Sequence, residues 1–204
     1  MNMKTSLQRP DLAIIADWIQ PESRVLDLGC GDGTLMHHLQ QTKKVNGYGI
    51  DIADSDITQS ITRGINVIQM DLNEGLSEFD DNSFDHVILS LTLQSMHRPD
   101  LLLKEMMRVG TEGIVTFPNF GHWKSRIHLA LGGRMPHTRS LPHEWYDTPN
   151  IHLCTQKDFE RLCHKFDFTI MERQAVDRSH NSRKRFRLLP NLLGEIALYR
   201  FQRK

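Results

Sequence analysis

The sequence predicts an α/β fold built on a doubly wound, mostly parallel sheet, and three observations carry that reading. Apolar strand-like runs alternate with amphipathic helical stretches through the first 118 residues. The runs Val25–Leu28 and His86–Leu89 are short and largely apolar, as strands covered by helices on both faces must be. The first run then opens into Gly29, Gly31 and Gly33, glycines at alternate positions where a strand turns into a helix.

Each element follows from its own pattern. Leu12, Ile15, Ala16 and Ile19 recur at helical spacing after Pro10-Asp11, giving a short amphipathic helix that ends before Pro21. Strand 24–28, helix 33–42, strand 47–51, helix 54–62 and strand 65–70 come next. Strand 84–90, helix 98–109 and strand 113–117 continue the alternation, with Leu101, Leu102, Met106 and Val109 on one stripe of that helix. Beyond Pro118, Trp123, Ile127, Ala130 and Leu131 mark a helix that Gly132-Gly133 stops. A loop from 134 to 151 carries Pro136, Pro142, Pro149 and the aromatic pair Trp145-Tyr146, too long and too aromatic for a plain connector. Phe159, Leu162, Cys163 and Phe166 mark a last helix, and 168–176 and 195–202 read as two closing strands separated by a basic stretch.

Length and composition bound the function. At 204 residues the chain has room for one domain with a substantial core, divided here into a ligand-binding half (1–118) and a loop-rich cap with the closing strands (119–204). Charged residues at 25% and hydrophobic residues at 39% exclude a disordered or membrane-spanning chain; no apolar run reaches span length and the start lacks a secretory core, so the expected location is the cytoplasm. Three cysteines, Cys30, Cys154 and Cys163, form no C-x-x-C pair and read as free thiols. Net charge is zero, which argues against nucleic acid as a partner, yet residues 51–85 hold nine acids against Arg63 alone, and residues 178–204 hold eight bases against Glu195 alone. The basic run Arg183–Arg187 reads as a solvated loop or a docking surface for an acidic partner before it reads as an RNA site. Eleven histidines include none at zinc-like spacing with Cys or Glu, so no metal is expected.

The glycine loop suits a nucleoside ligand, because its backbone N–H groups are free at the turn and a ligand can approach them closely. The dinucleotide version is spaced G-x-G-x-x-G and has no carboxylate beside its pyrophosphate. Here Asp27 and Asp32 flank the turn; like charges about 4 Å apart repel by roughly 4 kcal/mol at an effective dielectric near 20, which disfavours a diphosphate and favours a ligand with a cationic end. S-adenosylmethionine, with its sulfonium and ammonium and no phosphate, fits that description. A carboxylate should then end the second strand to grip the ribose, and Asp51 stands there; Asp71 ends the third strand near the expected adenine. Either acid also reads as a local cap or turn residue, Asp51 before helix 54–62 and Asp71 beside Asn73 and Gly75.

Leu26–Gly33, Tyr48–Asp51, Gln69–Leu72 and Phe84–Ser90 resemble the class I methyltransferases, a Rossmann-like fold. That resemblance implies a seven-stranded sheet with one antiparallel strand near its end, and S-adenosyl-L-methionine or S-adenosylhomocysteine across the carboxyl ends of the strands. The candidate cofactor-binding residues are accordingly Asp27, Gly29, Cys30, Gly31, Gly33, Asp51, Ile52, Met70, Asp71, Leu72 and Ser90. Members that methylate base amino groups carry an Asn/Asp-Pro-Pro-aromatic motif after the fourth strand; Ser90-Leu91-Thr92-Leu93-Gln94 occupies that place, which argues against base methylation. Pro118-Asn119-Phe120 reads as a rigid turn, and among histidines His97 and His122 are best placed for a general base, though structural roles are favoured for both. No catalytic residue is assigned.

The later strings narrow the resemblance. Arg9–Leu12, Thr116–Arg126, Gly133–Pro136 and Trp145–His152 look like the MetW family of methionine biosynthesis proteins, over nearly the whole chain. The family implies an accessory role beside the homoserine O-acyltransferase MetX, with the S-adenosylmethionine site either sensing the end product or surviving as scaffold. The competing reading is a working methyltransferase on a small molecule or protein, with Trp145-Tyr146 as part of a lid.

Overall fold

The computed structural model describes residues 7, 9–138, 140–177 and 189–204. The basic run 183–187 lies outside them, and so does the docking role read into it. The elements are α1 Pro10–Trp18, β1 Arg24–Leu28, α2 Thr34–Lys43, β2 Asn46–Asp51, α3 Asp54–Thr62, β3 Val67–Gln69, β4 Phe84–Ser90, α4 Pro99–Val109, β5 Gly110–Pro118, α5 Trp123–Gly132, α6 Gln156–Lys165, β6 Phe168–Val176 and β7 Ile196–Arg203.

One seven-stranded sheet runs in the order β3-β2-β1-β4-β5-β7-β6. Every pairing from β3 to β5 is parallel, and β7 is antiparallel to both β5 and β6. The reversal therefore falls on the last strand, inserted between β5 and β6. Because β1 has β2 on one side and β4 on the other, the chain winds outward from β1 and then returns to start again at β4. The crevice above the carboxyl ends of β1 and β4 is the switch point at which open α/β sheets hold ligands.

The period of two in each strand divides the core into two layers. Leu26, Leu28, Val87, Leu89, Val115, Phe117 and Tyr199 face α4 and α6, where Phe159 packs against the Phe117 and Tyr199 rings. Val25, Ile88, Ile114 and Leu198 face the other way, onto Leu12 and Ile15 of α1 and Met36 and Leu39 of α2. Asp27, two residues on from Val25, shares that second face and ends up beneath the start of α1.

Three element boundaries differ from the sequence expectation by two residues or more, each for a structural reason. β3 is confined to Val67–Gln69 rather than 65–70, because it is an edge strand and its partner β2 ends at Asp51. β5 reaches from Gly110 to Pro118 because β4 and β7 pair it on both sides. α6 starts at Gln156, three residues before its first apolar marker, because Thr155 and Asp158 form a reciprocal capping box. No helix among the described residues is long and apolar enough to cross a membrane.

Candidate functional site

A cavity of about 490 Å³ opens at the switch point, lined by Arg9, Leu12, Asp27, Gly29, Cys30, Gly31, Asp32, Thr34, Leu35, Arg63 and Ser90. Its floor is the turn between β1 and α2. Gly29, Gly31 and Gly33 all have positive φ (70°, 55° and 74°), backbone that side-chain-bearing residues avoid. At Gly29 an added Cβ would lie 2.5 Å from Thr92 Oγ1, and at Gly33 it would lie 2.7 Å from Ser60 Oγ, so both must be bare for packing as well. At Gly31 an added Cβ meets nothing within 4 Å; that position faces open space along the cavity wall.

Asp51 holds the loop in shape. One carboxylate oxygen accepts from Gly31 N (2.8 Å), the other from Ile52 N (2.8 Å) and Ala53 N (3.0 Å), while Gly29 N and Cys30 N donate to Ile50 O. Asp51 thus stands beside the glycine loop but does not cap the next helix: the N-cap of α3 is Ala53, with no side-chain cap hydrogen bond, and the Asp51 carboxylate is turned onto the turn before it. Asp32 binds Thr34 N through one oxygen and pairs with Arg63 at 2.6 Å through the other. Burial alone would raise its pKa, but the Thr34 and Arg63 contacts outweigh it and hold the carboxyl below its ordinary range.

Asp27 is the opposite case. It is 2% exposed, and among the described residues its carboxyl makes no hydrogen bond or ion pair. Burial pushes its pKa up to about 7, against a lowering field from Arg9 and with a raising one from Asp51. The two acids flanking the turn are therefore not a matched repelling pair: Asp32 is neutralised by Arg63, and Asp27 alone offers an unmet negative or protonated group to the cavity.

Arg9, quoted above only as part of a resemblance, is a cavity residue. Its guanidinium forks onto the Asp11 carboxylate and reaches Ser90 Oγ at 2.9 Å, and Ser90 in turn bonds Thr116 Oγ1 at 3.2 Å. Ser90 ends β4, and Leu91 beyond it holds φ at 56°, a strained value for a bulky residue. Leu91 N donates to Thr116 O and Oγ1, both at 3.0 Å, which fixes that strained corner.

Of the expected site residues, Gly33, Asp51, Ile52, Met70, Asp71 and Leu72 do not line the cavity. Leu72 is buried in the core with Met70 packed on it, Ile52 is exposed, and Asp71 Oδ1 accepts from Asn73 N at 2.9 Å as the cap of a 3-10 turn over Leu72–Glu74. Those residues flank the site on neighbouring strand ends. Cys30 is an intermediate case: it lines the cavity, and burial pushes its thiol pKa up to about 12, which favours the thiol over the thiolate.

The loop 134–153 encloses a second cavity of about 340 Å³ lined by residues that include His137, His143, Trp145 and Ile151. The loop is tied to the 3-10 turn Leu93–Ser95 that follows β4, since Ile151 N and His152 N both donate to Gln94 O. Trp145 and Tyr146 are 71% and 73% exposed, and on α5 Ile127, Leu129 and Leu131 are exposed as well. His122 is buried, which depresses its pKa despite the nearby Glu195 and favours the neutral ring. Asn119, in the expected rigid turn, donates to Asn191 O and Gly194 O and accepts from Gly121 N. No three His, Cys, Asp or Glu side chains among the described residues stand close enough to hold a metal ion.

The sheet order with its single reversed strand, and the cavity at the β1/β4 switch point, define a protein of the class I methyltransferase fold. Solved structures agree: a putative methyltransferase in complex with the Haloferax volcanii Trm112 activator superposes with a TM-score of 0.69 at 15% identity over 96% of this chain and 90% of that one. A possible histamine N-methyltransferase from Thermotoga maritima gives 0.65 at 17% identity, covering 96% and 88%. The [4+2]-cyclase SpnF gives 0.65 at 15%, covering 94% and 80%. Within that fold the chain belongs to the MetW family of methionine biosynthesis: the description "Methionine biosynthesis protein MetW" matches residues 9–201. It is 35% identical over 199 residues to the bifunctional methionine biosynthesis protein MetXA/MetW of Rhodopirellula baltica, covering 93% of this chain and 32% of that protein. The chain thus spans about a third of that relative's length. A further relative, the mitochondrial arginine-hydroxylase NDUFAF5 of Rattus norvegicus, is 34% identical over 122 residues, 55% of this chain and 36% of that one.

Proposed function

We propose that this chain binds S-adenosylmethionine or S-adenosylhomocysteine at the switch-point cavity and serves as an accessory subunit of a homoserine O-acyltransferase, its ligand site reporting the level of the pathway's end product. The observation that carries the accessory role is the bifunctional relative, in which a MetW-like part shares one polypeptide with MetXA. Fusion keeps two activities at a fixed stoichiometry and a high effective concentration. The residues present suit the ligand. Asp27 offers a buried, unpartnered carboxyl to an ammonium, Arg9 a guanidinium to a carboxylate, and the bare Gly31 faces open space where the amino-acid part would lie. Asp51, at the end of β2, stands where the ribose hydroxyls would be gripped. When bound, S-adenosylmethionine supplies a methyl group on a good leaving group; sensing asks only for affinity.

The alternative is methyl transfer to a small molecule or protein. One observation favours it: a second cavity, lined in part by Trp145 and Ile151, belongs to a loop that is tied through Ile151 N to Gln94, in the 3-10 turn that follows β4. Against presuming it, the same fold in SpnF carries the name of a cyclase, and fold alone does not fix chemistry.

Calorimetric titration with S-adenosylmethionine is expected to show binding that Gly31→Arg or Asp51→Ala abolishes; a flat titration of the wild-type chain removes the ligand site. Co-expression with the acyltransferase is expected to raise that enzyme's solubility or activity. Equal activity and solubility with and without this chain would end the accessory reading, and a labelled methyl group appearing on an extract component would install the alternative.

A further inference from the structure

We infer that α5 and the loop 134–153 form the face by which this chain docks onto the acyltransferase, and that the patch they meet there is apolar with carboxylates around its rim. The inference rests on the accessory reading above and deepens it, because it names the surface and the chemistry of its complement.

A surface helix ordinarily buries its apolar stripe in the core of its own protein. α5 does not. Of its ten residues only Ser125 is buried, while Trp123, Ile127 and Leu131, each one turn from the next, are 42%, 44% and 84% exposed. The loop continues the pattern with Trp145, Tyr146 and Ile151. Of the fifteen large apolar side chains exposed among the described residues, nine fall between 123 and 153, which makes a patch of what is usually a scatter of single side chains.

The face has shape as well. A hollow of about 330 Å³ lined by Ile127, His128, Leu131, Gly132 and Arg134 adjoins the 340 Å³ cavity of the loop, whose lining starts at Met135. Hollows of this kind receive the anchor side chains of a protein partner. The loop is held ready for them: Thr138 and Leu141 exchange both backbone hydrogen bonds (2.9 and 3.1 Å), Leu141 is buried, and Ile151 N and His152 N are tied to Gln94. Gln94 Nε2 donates in turn to Leu91 O, beside Ser90 of the ligand cavity, so the docking face and the ligand cavity share the chain that leaves β4.

Charge chooses the occupant. Residues 113–143 contain Lys124, Arg126, Arg134 and Arg139 and no acid. Lys124 stands 3.7 Å from Glu195, whereas Arg126 and Arg134 form no ion pair among the described residues. A second copy docked about a two-fold axis would set these bases against themselves. A fluid lipid surface has no fixed knobs to fill two hollows. A protein whose apolar patch is ringed by acids answers both the shape and the charge, and the relative that carries MetXA and MetW in one polypeptide supports the acyltransferase as that protein.

The test is calorimetric titration of the full chain against the purified acyltransferase of the same organism. Leu131→Glu, Arg134→Glu and Trp145→Ala are each expected to weaken the complex by about tenfold or more, and wild-type affinity to fall as salt rises. Ile61→Glu on α3 and Met171→Glu on β6, exposed apolar positions outside the face, are expected to bind as wild type. All five side chains are exposed, so melting temperatures are expected to stay at the wild-type value, which separates loss of docking from loss of fold. Wild-type affinity in the three face variants, or loss confined to Ile61→Glu or Met171→Glu, overturns the docking face and leaves the accessory reading intact. A dimer of the chain alone that Leu131→Glu dissociates in sedimentation gives the face to a second copy, and binding to phosphatidylglycerol vesicles that Leu131→Glu abolishes gives it to a membrane; either overturns the inference. No complex with the wild-type chain overturns the accessory reading itself.

Discussion

Gly31 and Gly33 share a left-handed backbone but answer to different constraints. An alanine at either position carries the strain of positive φ, about 1–2 kcal/mol. At Gly33 the new Cβ also meets Ser60 Oγ, whose hydroxyl holds the Gly31 carbonyl at 3.0 Å, so packing loss adds to strain. At Gly31 the Cβ projects into open space. Urea denaturation is therefore expected to show Gly33→Ala as the less stable variant, whereas ligand titration is expected to show Gly31→Ala as the weaker binder relative to its stability loss. Asp27 makes a pH-dependent prediction at the same scale. Its pKa is raised from 3.8 to about 7 on folding, so between those values the unfolded chain gives up a proton that the folded one keeps, and stability falls as pH rises through that window. Asp27→Asn removes that term. Measured against wild type, its stability is expected to improve on going from pH 3.5 to pH 8 by on the order of 4 kcal/mol.

Among elements, α6 shows how local chemistry sets a boundary. Thr155 Oγ1 accepts from Asp158 N at 3.3 Å and Asp158 Oδ2 accepts from Thr155 N at 3.1 Å, satisfying two donors that the helix start leaves free. Thr155→Ala is expected to cost about 1 kcal/mol and lower the melting temperature by roughly 2–4 °C in a scanning experiment, with ligand affinity unchanged. The T-x-x-D string stood in the sequence, but the apolar stripe beginning at Phe159 drew the boundary three residues late. α1 illustrates the reverse. Pro10-Asp11 reads as an ordinary helix start, acid in the first turn, yet Asp11 is buried and spends its carboxylate on Arg9. That second role depends on the end of β4, 81 positions away from Arg9, where Ser90 supplies the other contact.

For the whole molecule, the proposed function requires two sites that communicate: the cavity at the β1/β4 switch and the surface that meets the acyltransferase. A ligand shifts a partner's activity only if it binds one state of the complex better than another, and the coupling is reciprocal. In the reconstituted pair, S-adenosylmethionine is expected to change acyltransferase activity with the wild-type chain and to leave it unchanged with Gly31→Arg. By the same linkage, the acyltransferase is expected to change the wild-type chain's affinity for S-adenosylmethionine by the same factor in a competition titration. An equal response from both chains would mean that the ligand acts on the enzyme directly.

The sequence by itself determined the strand-helix alternation and the glycine loop, because each is written in contiguous residues with a period or a spacing, while the seven-stranded sheet with its reversed strand came through the resemblance to a known family. It also placed Asp27, Asp51 and Ser90 at strand ends, since the end of an apolar run locates itself. Only the tertiary structure decided what those residues meet. Asp32 and Arg63 stand 31 positions apart and cancel, and Arg9 is held by Asp11 and Ser90 rather than by the acid it most needs to neutralise. Asp27 is left on the cavity wall with no hydrogen-bond or ion-pair partner among the described residues. Charge balance at a site is a property of distances between chain-remote groups, and spacing along one chain does not encode it.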